Sequence, residues 1–319
     1  MQPPTLHDVL LARGRVSRVL SRTALLKHPL LDLELGCNAF VKHENHNPTV
    51  AFKVRGGLNL IASLPADDRA RGVITASTGN HGQSIAFASA RHGVACGVYV
   101  PVGNNPEKNA AMRALGATVV EHGRDFDEAR ERAEDLAASN GLRYVHPVNE
   151  PLLIAGVGTY ALEVFEDLPE VHTVFVPIGG GSGAAGLCLV RTALGANTRI
   201  VGVQAKNADA FARSWRGPVR VVGEQADTFA EGMATRVTFD LTFNLLKREL
   251  DDIITLSEDE LAEGVRLAMR ATHNLAEGAG AASLMAAYTR RETLRGQTVV
   301  CVMSGGNIDA ATLKRVLPG

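Results

Sequence analysis

The chain of 319 residues is long enough to bury a core without metals or disulfides, which excludes the small stapled scaffolds. Its 33 lysines and arginines against 34 aspartates and glutamates give a formal charge of −1, so no basic field exists to hold nucleic acid or an anionic membrane. The 45% hydrophobic and 21% charged residues are typical of a folded globular protein and exclude a disordered chain.

Short β-branched runs alternate with longer amphipathic stretches, which predicts βα units and parallel sheets. In the first half of the chain the predicted strands are 73–77, 97–100, 118–120 and 144–146, and the predicted helices are 81–92, 107–115 and 125–139. In the second half the predicted strands are 173–178, 199–204, 253–256 and 298–303, and the predicted helices are 183–194 and 257–273. Ser257 and Glu260 have the spacing of a capping box at the start of the last helix. We expect two α/β domains that share an interface.

The cysteines and the N-terminus indicate a reducing compartment. Cys37, Cys96, Cys188 and Cys301 lie far apart in small or apolar surroundings, so we expect reduced packing residues. The first residues lack the basic and apolar regions of a signal peptide, and no run approaches the roughly 18 apolar residues that span a bilayer. We therefore expect a cytoplasmic protein without a membrane or nucleic-acid partner.

Glycines are enriched and clustered, with 32 in the chain, which suggests backbone brought close to a ligand. The densest cluster runs from Pro177 to Gly186, from a predicted strand into a helix. Its N–H groups and the helix N-terminus favour a phosphate site, although a flexible turn with close packing gives the same pattern. The segment from Gly181 to Gly186 also fits the dinucleotide fingerprint, but Gln204 stands where that fingerprint needs an acid. A compact phosphate is therefore favoured over NAD.

Three further segments lie where strands or turns enter loops, the edge at which open α/β sheets bind ligands. Lys53 lies between apolar neighbours at a predicted helix start. Desolvation there would favour the unprotonated amine, which is a nucleophile toward aldehydes. The alternative is an ordinary surface lysine. Residues 76–83 carry hydroxyls, an amide and free N–H groups that could bind a carboxylate. The alternative is that they only cap the following helix. Residues 303–309 end a buried strand in a hydroxyl and two glycines, and a cap is again the alternative.

In this order the four segments resemble those of the fold type II family of pyridoxal-5′-phosphate enzymes, and within it the threonine/serine dehydratases and serine racemases. The resemblance extends from about Leu10 to Ile308. It implies an α/β fold like that of the tryptophan synthase β subunit, with two domains of twisted, mostly parallel sheets flanked by helices. The implied domains are a large cofactor-binding domain of residues 1–47 plus 148–319 and a small substrate-loop domain of residues 48–147. A homodimer is typical of the family.

The resemblance also implies roles for individual residues. Lys53 is expected to bind the cofactor as a Schiff base and to remove the substrate's Cα proton, with Phe52 packed beside it. The phosphate is expected on Gly179, Gly180, Gly181, Ser182 and Gly183. Asn80 is expected to bond the 3′-oxygen and Ser304 the pyridine nitrogen, while Glu277 lies beside the cofactor in a structural or catalytic role. The substrate carboxylate is expected on the loop of Ser77, Thr78, Gly79, Asn80 and His81.

The implied reaction removes water from a β-hydroxy amino acid of the threonine or serine type and yields a 2-oxo acid and ammonia. Ser182-Gly183 replaces the last glycine and leucine of the usual phosphate loop, which should leave phosphate binding intact. Thr78, which is expected to be catalytic together with Lys53, stands where racemases carry a serine, so racemisation is less expected.

Other departures from the family pattern bear on metal, substrate and regulation. Gln204 and Ala210 replace the carboxylates of the family's cation site, so we expect no metal there. The segment 125–129 disfavours an acidic β-substituent, and the end of the chain at Gly319 leads us to expect no C-terminal regulatory domain. A bulkier substrate such as a phenylserine or a hydroxyectoine-derived acid, a racemase, a cofactor-binding protein without turnover and an NAD enzyme remain open as alternatives.

Overall fold

The computed structural model describes residues 1–317 and contains two β-sheets surrounded by helices. The strands are β1 (Leu25–Lys27), β2 (Asn38–His43), β3 (Val73–Ala76), β4 (Cys96–Val100), β5 (Thr118–Glu121), β6 (Arg143–Tyr144), β7 (Thr173–Pro177), β8 (Arg199–Ala205), β9 (Asp252–Leu256) and β10 (Thr298–Met303). The α-helices are α1 (Leu6–Val16), α2 (Pro29–Leu35), α3 (Lys53–Ala62), α4 (Ala66–Arg71), α5 (Asn80–His92), α6 (Pro106–Ala114), α7 (Phe126–Asn140), α8 (Pro151–Asp167), α9 (Ser182–Ala193), α10 (Ala210–Arg216), α11 (Asp240–Glu249), α12 (Glu258–Thr272), α13 (Gly278–Thr289) and α14 (Ala310–Val316).

The two sheets are almost entirely parallel. The larger has the strand order β1-β2-β10-β7-β8-β9, in which only the β1–β2 pair is antiparallel. The smaller has the order β5-β4-β3-β6 and is wholly parallel. Parallel pairing requires long crossovers, and the helices supply them. The predicted α/β class with parallel-dominated sheets is confirmed.

Each sheet is covered on both faces, which explains why its strands read as continuous apolar runs. One face of the larger sheet packs on an apolar cluster with α2, α12 and α13, and the other on a cluster with α1, α8 and α9. The smaller sheet packs on α3 and α5 on one side and on α7 on the other. All four cysteines are free and buried. No helix within residues 1–317 is long and apolar enough to cross a membrane.

Most predicted elements lie within a residue or two of their predicted bounds, and the predicted capping box is present: Ser257 Oγ accepts the Glu260 N–H at 3.2 Å, and the Glu260 carboxylate accepts the Ser257 N–H at 2.8 Å. The strand predicted over 144–146 is wrong in its extent, because β6 ends at Tyr144. At His146 the chain turns, since its ring Nδ1 accepts the N–H groups of the second and third residues that follow, at 3.0 and 2.9 Å.

A buried ion cluster holds α3 against the larger sheet. The Arg55 guanidinium is 1% exposed and donates to Glu44 at 2.7 and 2.8 Å and to Glu163 at 2.7 and 2.9 Å. Lys42 Nζ also donates to Glu163, at 2.5 Å. Two cations thus meet two carboxylates, and no charge of the cluster is left unpaired. Because Arg55 lies two residues after Lys53, the cluster fixes the position of the helix start.

Candidate active site

A loop of glycines joins β7 to α9 and packs closely against neighbouring segments of the chain. Gly181 has φ +91°, a conformation that glycine adopts without strain. A Cβ on Gly179 would lie 2.1 Å from the Gly232 carbonyl oxygen, and one on Gly180 would lie 2.2 Å from Val148 Cγ2. Side chains are therefore excluded here, and the first N–H groups of α9 remain free of helical partners. The loop and the helix end form a cradle for an anion such as phosphate.

The amine of Lys53 lies at this cradle. Its Nζ donates to Ser182 Oγ at 3.0 Å and to the Pro147 carbonyl oxygen at 3.3 Å. The Phe52 ring lies against Gly183, where a Cβ would be 3.4 Å from the ring, and the Lys53 Nζ is 5.5 Å from the ring centroid. Burial lowers the pKa of Lys53 from the ordinary 10.5 to about 8. The amine therefore loses its proton far more readily than a surface lysine.

The segment before Lys53 is clamped to the loop that follows β10. The Phe52 N–H donates to the Ser304 carbonyl oxygen at 3.0 Å, and the Gly306 N–H donates to the Val50 carbonyl oxygen at 2.9 Å. Val50 has φ +55°, which is a strained conformation for a β-branched residue. The two segments that sequence reasoning selected, around Lys53 and Ser304, thus pair with each other.

The loop 77–81 lies at the N-terminus of α5, and several of its polar groups already make hydrogen bonds within the protein. Ser77 Oγ accepts the N–H groups of Gly82 at 2.8 Å and Gly79 at 3.2 Å, so this hydroxyl shapes the loop itself. The carbonyl oxygen of Thr78 accepts from Asn104 at 3.4 Å. The His81 ring is directed into the interior and is 6% exposed.

Asn80 and Glu277 form a polar contact between α5 and the start of α13. Asn80 Nδ2 donates to Glu277 Oε1 at 2.7 Å, and Asn307 Nδ2 donates to Asn80 Oδ1 at 2.7 Å. Burial raises the pKa of Glu277 above its ordinary value. A Cβ on Gly305 would lie 2.5 Å from Glu277 Oε1, so this carboxyl lies directly against the backbone beside Ser304. Ser304 is itself 5% exposed.

Sequence reasoning missed two features that border this site. Asn307 lies in the predicted segment 303–309, but its hydrogen bond is to Asn80, which is 227 residues away in the sequence. Lys108 of α6 is buried, forms an ion pair with Glu231, and would lie 3.4 Å from a Cβ on Gly79. A lysine on a polar helix carries no signal that it is buried, so only the fold could reveal it.

At the position of the family's cation site, the Gln204 side chain makes a hydrogen bond within the protein. Gln204 is fully buried, and its Oε1 accepts the Ala212 N–H at 2.8 Å. Among residues 1–317 no group of three or more histidine, cysteine or acidic side chains could hold a metal ion.

A partly buried amine with a lowered pKa, placed at an anion cradle, suits a cofactor that carries both an aldehyde and a phosphate, and these residues therefore fit pyridoxal phosphate. The chain belongs to the pyridoxal-phosphate dependent enzyme family, whose sequence profile matches residues 16–305. The expected cofactor is thereby confirmed.

Particular relatives share nearly the whole chain. The L-threonine ammonia-lyase of Thermotoga maritima is 36% identical over 98% of this chain and 78% of its own length. The solved threonine deaminase from T.th. has a TM-score of 0.90 at 35% identity and covers 96% of this chain and 99% of its own. Maize serine racemase has a TM-score of 0.92 at 25% identity, with 98% and 96% covered. The chain is thus similar throughout to ammonia-lyases and, less closely in sequence, to a racemase.

Proposed function

We propose that this enzyme is an ammonia-lyase that removes water from L-threonine or a similar β-hydroxy amino acid and releases a 2-oxo acid and ammonia. The relatives with the higher sequence identity are named for threonine, which supports this substrate. The observation that carries the proposal is the Lys53 amine, held beside the glycine loop with a pKa of about 8.

The proton of the substrate's Cα is proposed to pass to Lys53 Nζ. A general base works best when its pKa lies near the working pH, and burial brings the pKa of Lys53 to about 8. Pyridoxal phosphate, when bound, supplies the electron sink that stabilises negative charge at Cα. The ammonium formed at Lys53 has acceptors at Ser182 Oγ and the Pro147 carbonyl oxygen.

Loss of the β-hydroxyl completes the elimination. The Cα–H and Cβ–O bonds break, and the proton from Cα and the hydroxide together make one water. The enamine that leaves the enzyme takes up water and yields the 2-oxo acid and ammonia. Thr78 is proposed to contact the substrate on the loop, where its branched side chain is bulkier and stiffer than the serine it replaces.

The proposed cofactor site draws on the residues predicted from the sequence. We propose that the phosphate is held by Gly179, Gly180, Gly181, Ser182 and Gly183. Ser304 is proposed to bond the ring nitrogen, and because a hydroxyl is neutral it does not force that nitrogen to stay protonated. Asn80 is proposed to bond the 3′-oxygen. Support for this role is its polar contact with Glu277 and Asn307, which fixes the amide.

We also propose that residues 48–147 form a small substrate-loop domain beside a large domain of residues 1–47 and 148–319, and that the enzyme is a cytoplasmic homodimer. Support for the domain division is that the smaller sheet uses only strands between Val73 and Tyr144. Light scattering with the cofactor bound would measure the mass of the assembly, and a monomer would overturn the homodimer.

The test is 2-oxo acid release by the holoenzyme with L-threonine, L- and D-serine, phenylserine and 3-hydroxyaspartate. Fast release from L-threonine, abolished in Lys53→Ala, is the expected result. A preference for phenylserine would assign a bulkier substrate, and interconversion of L- and D-serine without 2-oxo acid would assign a racemase. Cofactor binding without turnover of any substrate would refute the proposal.

A further inference from the structure

Lys108 is a buried lysine at an unfavourable place in its own helix. It is 9% exposed and lies in the first turn of α6, which begins at Pro106. The N-terminal end of a helix carries partial positive charge, so an ammonium is disfavoured there. Burial adds a further cost, which a paired carboxylate can offset. The partner is Glu231, because Lys108 Nζ donates to Glu231 Oε2.

The segment around Lys108 packs against the substrate loop 77–81. A Cβ on Gly79 would lie 3.4 Å from Lys108 Cδ and 3.9 Å from Lys108 Nζ, so the lysine side chain extends along the backbone of this loop. Next to α6, Asn104 Nδ2 donates to the Thr78 carbonyl oxygen at 3.4 Å. The substrate loop and the start of α6 therefore contact each other through both side chains.

The segment around Glu231 packs against the glycine loop instead. Glu231–Met233 form one turn of 3₁₀-helix. The Gly232 carbonyl oxygen lies 2.1 Å from the place that a Cβ on Gly179 would take, so the two backbones touch. A Cβ on Gly232 would also lie 3.9 Å from Glu277 Oε1, the oxygen that accepts from Asn80. Glu231 is thus anchored beside the proposed cofactor site.

The ion pair joins two parts of the chain that the proposed reaction needs at a fixed separation. A substrate held by its carboxylate on the loop 77–81 has to present its Cα to a cofactor whose phosphate lies on the glycine loop, and both contacts form only if the two loops are correctly spaced. We propose that Lys108 is a positioning residue, which Glu231 holds against the substrate loop so that this loop keeps its distance from the cofactor site. This role rests on the proposed function.

A second ion pair joins the same two parts of the chain and provides a matched control. Arg236 lies on the segment that follows Glu231 and pairs with Asp127 of α7 at 3.4 Å. Both of these side chains are 52% exposed, so water and salt screen their attraction. The Lys108 side chain is only 10% exposed. We therefore expect the Lys108–Glu231 pair to hold the loop and the Arg236–Asp127 pair to contribute little.

Hydrogen–deuterium exchange of the holoenzyme without substrate measures how firmly the loop is held. Ser77 Oγ accepts the N–H groups of Gly79 and Gly82 at 3.2 and 2.8 Å. These hydrogen bonds protect the two amides, and they open more often if the loop loses its support. Mass spectrometry of peptides that cover residues 76–83 reports their exchange.

The variants remove one partner at a time. We expect Lys108→Met and Glu231→Met each to speed exchange in residues 76–83 by about fivefold or more. Exchange in β7 and β8 should stay at the wild-type rate, because the larger sheet does not depend on this pair. Arg236→Met should match the wild type in all of these segments.

Steady-state kinetics with L-threonine measures the consequence for the substrate. In Lys108→Met and Glu231→Met we expect KM to rise about tenfold and kcat to fall by less than about threefold, because the loop binds the carboxylate both before and during the reaction. The double variant should lose no more kcat/KM than the more damaging single variant, since the two side chains act through each other. Arg236→Met should leave both constants unchanged.

Unchanged exchange in residues 76–83 of both single variants would overturn the proposal, as would losses of kcat/KM that multiply in the double variant. Equal acceleration of exchange in β7 and β8 would also overturn it, because a general loss of stability would then explain the result. The exchange measurements use no substrate, so failure of the proposed elimination would leave them unchanged, and the two failures are distinguishable.

Discussion

Replacing Lys53 by methionine tests the lowered proton affinity of this amine through protein stability, without any reaction. The pKa of Lys53 falls from 10.5 to about 8 on folding. Each tenfold change in proton affinity corresponds to about 1.4 kcal/mol. The lowered pKa of Lys53 therefore reduces the free energy of unfolding of the cofactor-free protein by up to about 3 kcal/mol at pH 7. Methionine carries no charge, so Lys53→Met should raise the free energy of unfolding at pH 7 by about 2–3 kcal/mol.

The sign of the pH dependence follows from the same pKa values. Between pH 8 and 10.5 the unfolded chain holds a proton on this lysine that the folded chain has released, so wild-type stability rises with pH across that window. The advantage of Lys53→Met should therefore shrink by about 2 kcal/mol between pH 8 and 9.5. Urea unfolding of the cofactor-free proteins measures both quantities.

The control is Lys314→Met, which removes an exposed lysine from the last helix. Its stability difference from the wild type should stay constant across the same pH range. A Lys53→Met advantage that does not change with pH would refute the reasoning, because packing of the methionine alone would then explain it. A loss of stability at pH 7 would show that the ammonium is held favourably by its two acceptors.

Three further substitutions test the site and its support. Gly180→Ala should weaken cofactor binding by at least about tenfold in an absorbance titration, because the added methyl group displaces the loop. The control is Gly14→Ala, whose methyl group meets no atom within 4 Å and should leave binding unchanged. Arg55→Met should lower the free energy of unfolding by about 3–5 kcal/mol, since it leaves two buried carboxylates short of a partner; a loss below about 1 kcal/mol would contradict the cluster's role. Val50→Gly should raise the thermal unfolding temperature slightly by relieving the strain at φ +55°, and a clear decrease would contradict this expectation.

The sequence alone was sufficient for the fold class and for the segments that make up the candidate site. Buried strands of parallel sheets carry continuous apolar runs, and amphipathic helices carry a period, so both are visible in a single chain. The helices that pattern reading missed include α8 and α13. Both are buried on almost every side, so they lack the polar face that makes a helix recognisable.

The contacts that tune the site were decided by tertiary structure. Lys53 meets Pro147 and Ser182 across 94 and 129 residues, and Asn80 meets Glu277 across 197. No local pattern encodes such pairs, because side chains far apart in sequence come together only when the sheets and helices pack. Local sequence patterns therefore pointed to the glycine loop, and the resemblance to a known family singled out Lys53 as the candidate reactive lysine. The proton affinity of that lysine depends on burial and on distant partners, which only the folded chain provides.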